Sequence, residues 1–305
     1  MSLPRPPSFR SPERRGLAAL VRRSALVRRF VPGETLEAAL AAAALQAALG
    51  IGTTLTYLGD TPQDPADTAR VAQPYLEALD TIRERGLTCE LSVKLSLLGL
   101  DAGPDRCEGV LEAICARAAR GPTHVWIDME APAAVDAALG LFRRVQARHR
   151  HLGLCLQAYL KRTTADVDSL IPLGAGVRIV KGSYRQPRAA AYRGRRAIAD
   201  HFFRLGARLL AGDARGAGVR AVFATHDLGL LGRLQDHAWS LGLGRDAFEC
   251  HMLLGVHSGY QRRLAAQGYP VRALVSYGEA WLAWYLRRLA ERPANLGVLL
   301  RGLLG

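Results

Sequence analysis

Lysine is almost missing from this chain. Only Lys94, Lys161 and Lys181 stand among 41 basic residues, so arginine carries nearly all the positive charge. A chain that has otherwise exchanged ammonium for guanidinium is expected to keep lysine where a compact point charge matters. The five cysteines, Cys89, Cys107, Cys115, Cys155 and Cys250, form no CxxC pair and are odd in number. That disfavours a zinc ribbon or a disulfide framework and predicts reduced, buried thiols. No apolar run approaches the roughly 20 residues of a membrane span. The stretch from Met1 to Arg29 carries prolines and arginines but no signal-peptide core, so a cytoplasmic protein is expected. There is no GxGxxG after a strand and no Walker loop, which excludes the Rossmann route to a dinucleotide.

What is present is charge and a large apolar fraction. The net charge is +14, and 49% of the 305 residues are hydrophobic. Arginines are spread along the chain rather than gathered with aromatics in one stripe, which argues against nucleic acid as a partner. The Arg-rich N-terminus leaves open a peripheral contact with the inner membrane face.

Short apolar runs alternate with amphipathic stretches. Strands are predicted over 53–58, 90–95, 125–129, 153–158, 177–180, 220–224, 248–253 and 272–275. Helices are predicted over 65–85, 105–119, 133–149, 195–211, 228–241 and 260–267, with a last one over 279–292 that Pro293 stops. Eight strands with intervening helices predict a (β/α)8 barrel, an α/β fold. Residues 1–49 are expected to form a helical extension and residues 50–305 the barrel domain.

In such barrels the polar residues at the C-terminal strand ends line the active site. Here those ends carry Tyr57 and Asp60, Lys94 and Ser96, Asp128 and Glu130, Gln157 and Tyr159, Arg178, Lys181 and Tyr184, then Thr225, His226 and Asp227, and finally His251. Asp128 and Arg178, on strands three and five, are placed to form an ion pair across a small barrel. Gln157 can offer donor and acceptor to a heterocycle edge. The small step at Gly182 permits close approach of a phosphate or ring. Near the C-terminus, Arg287, Arg288 and Glu291 share a helix face, two guanidiniums beside one carboxylate. An amino-acid-sized zwitterion fits that set, with a solvated helix face as the bland alternative.

Read in order, these segments resemble the flavin-dependent proline dehydrogenases in their short bacterial form. The resemblance rests on Ser92-Val-Lys-Leu-Ser96, Ile127-Asp-Met-Glu130, Val177-Arg-Ile-Val-Lys-Gly-Ser-Tyr184, Ala224-Thr-His226 and Tyr285-Leu-Arg-Arg-Leu-Ala-Glu291, among others. It implies a distorted barrel holding FAD non-covalently, with the last helix closing over a small cyclic amino acid and a quinone or another acceptor taking the electrons. By position, Asp128 and Arg178 would be the charged pair at the reaction centre. Lys94, Arg287 and Arg288 would grip the substrate carboxylate, with Glu291, Tyr184, Leu253 and Leu274 around the rest of it. Met129, Gln157, Arg178, Lys181, Gly182, Ser183, Thr225 and His226 would line the flavin.

The chain departs from the family at Leu274, where a tyrosine is usual, and at Ser276, His251 and Ser183. Oxidation of L-proline is the leading expectation, and Leu274 motivates the alternative of another cyclic or secondary amino acid. A cofactor-free lyase using Lys94 or Lys181 as a Schiff-base nucleophile is the alternative of another class.

Overall fold

The computed structural model describes residues 30–59, 67–182, 184 and 186–281. The first 29 residues of the expected helical extension and nearly all of the predicted helix over 279–292 lie outside these residues, as do Asp60 and Ser183.

Eight parallel strands close into a barrel in simple sequential order. They are β1 Gly52–Tyr57, β2 Cys89–Lys94, β3 Val125–Asp128, β4 Leu152–Gln157, β5 Gly176–Val180, β6 Arg220–Ala224, β7 Glu249–Leu253 and β8 Val271–Tyr277. Strands of a helix-covered parallel sheet are buried on both faces and therefore read as apolar runs rather than alternations. Every residue of β4 is buried, for instance.

Around the barrel pack α1 Leu36–Ala47, α2 Asp67–Glu84, α3 Pro104–Ala118, α4 Val135–Gln146, α5 Thr163–Leu170, α6 Arg195–Leu209, α7 Gly212–Gly216, α8 Leu228–Ser240 and α9 Ser258–Ala266. The start of α1 follows from Thr35, whose hydroxyl accepts from the Ala38 amide at 3.2 Å. Pro104 at the first turn of α3 sacrifices only an amide that would be unpaired anyway. The short α5 and α7 were not anticipated. At eight and five residues they are too brief to display a helical period. Among the described residues no helix is long and apolar enough to cross a membrane.

The deep end of the barrel is polar. Glu90 on β2 is 3% exposed and accepts from Trp126 Nε1 at 2.7 Å. Arg220 pairs with Glu90 and Glu249, and Arg272 reaches the same two carboxylates at 3.2 and 3.1 Å. Four charges of alternating sign thus compensate one another inside the fold, as burial demands. Gly153 leaves the room for this layer, since a Cβ there would lie 2.5 Å from the Trp126 ring.

Candidate active site

Above that layer, at the C-terminal strand ends, lies a cavity of about 170 Å³. Asp128, Arg178, His226 and His251 give it polar surface, and Leu253 and Leu274 give it apolar wall. Leu253 and Leu274 are register partners across β7 and β8.

The expected pair across strands three and five is present. Arg178 Nη2 donates to Asp128 Oδ1 at 2.5 Å and to Ser92 Oγ at 2.8 Å. Ser92 in turn donates to the same Asp128 oxygen at 2.9 Å, so one hydroxyl bridges acid and base. Lys94 Nζ donates to Asp128 Oδ2 at 3.4 Å and to Thr56 Oγ1 at 2.9 Å. Below, the Arg178 guanidinium lies over the Trp126 ring at 4.9 Å. Burial opposes ionisation of Asp128, but Lys94 and then Arg178 outweigh it and hold the carboxyl below its usual range. One carboxylate shared by two cations leaves the trio with net positive charge, which suits an anionic ligand.

Of the remaining strand-end residues expected at a cofactor, His226 lines the cavity, whereas Gln157, Lys181, Gly182 and Thr225 are not part of its wall. Gln157 Nε2 donates to the carbonyls of Met129 and Glu130 at 3.3 and 3.2 Å. Those bonds fix the amide orientation and leave Oε1 buried without a hydrogen-bond partner among the described residues. His226 Nε2 accepts from the Leu253 amide at 2.9 Å, which places the ring proton on Nδ1. Burial, reinforced by His257 and Lys181, lowers its pKa to about 4, so the imidazole is neutral. Lys181 donates to Asp227 at 2.6 Å, and Asp227 also caps α8 through the Leu230 amide at 3.1 Å. Thr225 Oγ1 accepts from the Asp227 amide at 3.2 Å. At Gly182, with φ +83°, a Cβ would meet the Tyr159 ring at 2.2 Å, so only glycine keeps this backbone in place.

The cavity thus gathers Asp128, Arg178, His226, Leu253 and Leu274, and Lys94 joins through Asp128. Met129 is 8% exposed and belongs to the hydrophobic core, as Tyr184 does in part; neither reaches the cavity wall. Arg287, Arg288 and Glu291 lie outside the described residues, as does Ser183. Sequence reasoning did not single out Ser92 and Thr56 as site residues. Ser92 and Thr56 share the strand phase of Lys94, which would have marked them had the pleat been followed inward.

The sequence model of the family described as Proline dehydrogenase matches residues 39–300. The chain belongs to the proline dehydrogenase family. It is 33% identical to Proline dehydrogenase 1 of Bacillus subtilis (strain 168) over 278 residues, covering 91% of this chain and 90% of that protein. It is also 33% identical to the Proline dehydrogenase of Deinococcus radiodurans over 284 residues, covering 92% and 90%. Among solved structures, proline utilization A from Bdellovibrio bacteriovorus, inactivated by N-propargylglycine, superposes with a TM-score of 0.77 at 19% identity. That superposition covers 85% of this chain but only 32% of the solved chain, and it bears on the fold alone. The barrel is of the TIM type, as expected.

Proposed function

We propose that this chain oxidises L-proline to 1-pyrroline-5-carboxylate using non-covalently bound FAD. The observation that carries the reading is the buried Asp128–Ser92–Arg178 assembly in the cavity of a proline dehydrogenase barrel. The residues present fit a flavin. Gln157 Oε1 is a buried acceptor lacking a partner among the described residues, His226 carries its proton on Nδ1, and the backbone at Gly182 admits close approach. When bound, FAD supplies the hydride acceptor, and a quinone or another oxidant takes the electrons onward.

The protein's own share is binding and orientation. Arg178, fixed by Asp128 and Ser92, presents a preorganised cation to the reaction centre, which needs no rearrangement as charge develops. Lys94, together with Arg287 and Arg288, holds the carboxylate end of the substrate, while Glu291 steadies the two arginines and faces the substrate nitrogen. Gripping that remote group turns binding energy into orientation of the C–H bond to be broken. All five cysteines are free and buried, consistent with a reducing compartment such as the cytoplasm.

Purified protein incubated with FAD should turn yellow and bleach when proline is added without oxygen. A protein that remains colourless in excess FAD would overturn the flavin reading. Bleaching by another cyclic amino acid but not by proline would overturn the substrate.

Leu274 sets a finer expectation. It offers neither a hydroxyl nor a stacking face, and a pocket without a hydrogen-bonding group discriminates poorly among ligands. The parent should accept 4-hydroxyproline and pipecolate beside proline, and Leu274→Tyr should shift kcat/KM toward proline by roughly tenfold or more. Equal kcat/KM ratios in both forms would show that this position does not set the range.

A further inference from the structure

Two residues deeper than Leu253 on β7, His251 lines the same cavity while being only 4% exposed. Neither ring nitrogen makes a hydrogen bond within the described residues. Nε2 faces Glu249 Oε2 at 3.5 Å, and the ring stands edge-on to Trp126 with centroids 5.9 Å apart. Buried polar side chains normally have partners. An imidazole backed by a carboxylate and bordering a cavity therefore points to a bound group as the missing one.

We propose that His251 is a proton-accepting contact of the redox cofactor: when the group bound in the cavity is reduced, the imidazole takes up a proton from solvent. The inference rests on the flavin reading above. Two electrons and one proton, or one hydride, leave the bound group one unit more negative. The solvent proton forms a single new N–H bond on His251 and restores the charge. No further oxidant or reductant is required.

The surroundings are suited to such a switch. Glu249 on the same strand and Glu90 on β2 favour the imidazolium. Arg178 on β5 opposes it, and Arg220 and Arg272, on β6 and β8, are already held by the two glutamates. Asp128 and neutral His226 border the same cavity. Burial is the largest influence and keeps the resting imidazole below its ordinary range, with Glu249 and Glu90 pulling the other way and Arg178 adding to burial. A negative charge arriving in the cavity acts in the direction of the glutamates. The extra proton should therefore be taken up between the resting and the reduced-state pKa, and not above or below that window.

The test is proton uptake during anaerobic electrochemical reduction of the flavin-loaded protein, followed with an indicator dye from about pH 5.5 to 8. The parent should take up more than one proton per flavin in part of this range. His251→Gln should lose the excess while retaining the flavin absorbance. In Glu249→Gln the window should move to lower pH. Uptake that never exceeds one proton in the parent, an excess that survives in His251→Gln, or an unmoved window in Glu249→Gln would each overturn the assignment. A parent that binds no flavin would instead overturn the proposed function.

Discussion

Arg178→Met is expected to abolish most turnover, lowering kcat/KM by about 100- to 1000-fold, as loss of one preorganised charge at a reaction centre does. The residue is 4% exposed and serves three partners: Asp128, Ser92 and the face of Trp126. Methionine fills comparable space but leaves Asp128, among the described residues, with Lys94 and Ser92. Removing one partner of a buried pair typically costs about 3–5 kcal/mol of stability.

Asp128→Asn should cost less, because the neutral amide still accepts from Ser92 or Arg178. The double variant should fall well short of the sum of the two single effects, since the second change has no pair left to break. The pH dependence carries a definite sign. Asp128 titrates below its usual value in the folded protein, so its contribution is present above the unfolded carboxylate pKa, about 4. It is lost as pH falls through the folded value. Without Arg178 the folded value rises, and acid unfolding should begin at higher pH. Additive stability losses in the cycle, or an unmoved acid limb, would show that the pair is incidental to both fold and chemistry.

The barrel was legible in the sequence because parallel strands print themselves as apolar runs bounded by turns. Seven of the eight strands were placed to within a residue at either end. The exception, β8, continues to Tyr277 through Ser276 and Tyr277, two residues whose polar atoms hide the fact that both are buried. The Asp128–Arg178 pair was equally legible, since a charge at a strand end has few reasons to be there besides the site. Ser92 and Thr56 were not, because a hydroxyl within an apolar run reads as a strand residue of either face. The deep layer of Glu90, Arg220, Glu249 and Arg272 escaped for a different reason. Charges near strand starts look like solvated loop ends, and only closure of the barrel brings four of them together. Lys94 and Lys181 illustrate what lysine scarcity could indicate: both ammonium groups are committed to carboxylates, Asp128 and Asp227, at the catalytic end. Lys161 instead lies 5.9 Å from the Tyr192 ring.

Arg287→Met and Arg288→Met should each raise KM for proline by about thirtyfold or more while leaving the flavin bound. The reasoning begins with the cations already placed. Lys94 has Asp128 and Thr56 as partners, and Arg178 has Asp128 and Ser92. One carboxylate against two cations leaves a single positive charge for a substrate whose own carboxylate has two oxygens and about four lone-pair sites. A bidentate grip on such a group calls for guanidinium, which matches its planar geometry where ammonium does not. Arg287 and Arg288 are adjacent in the sequence, with Glu291 three and four positions on, the spacing at which a carboxylate on a helix would meet both. Deleting one member of a desolvated charge pair costs about 2–5 kcal/mol, and much of that is the penalty on the partner left behind. The measurement is a titration of flavin absorbance with a non-reacting carboxylate analogue of proline, beside steady-state KM. A split in which analogue affinity and KM both suffer while flavin content holds would place the two arginines on the substrate. Parent-like binding in either variant would return that residue to an ordinary solvated helix face.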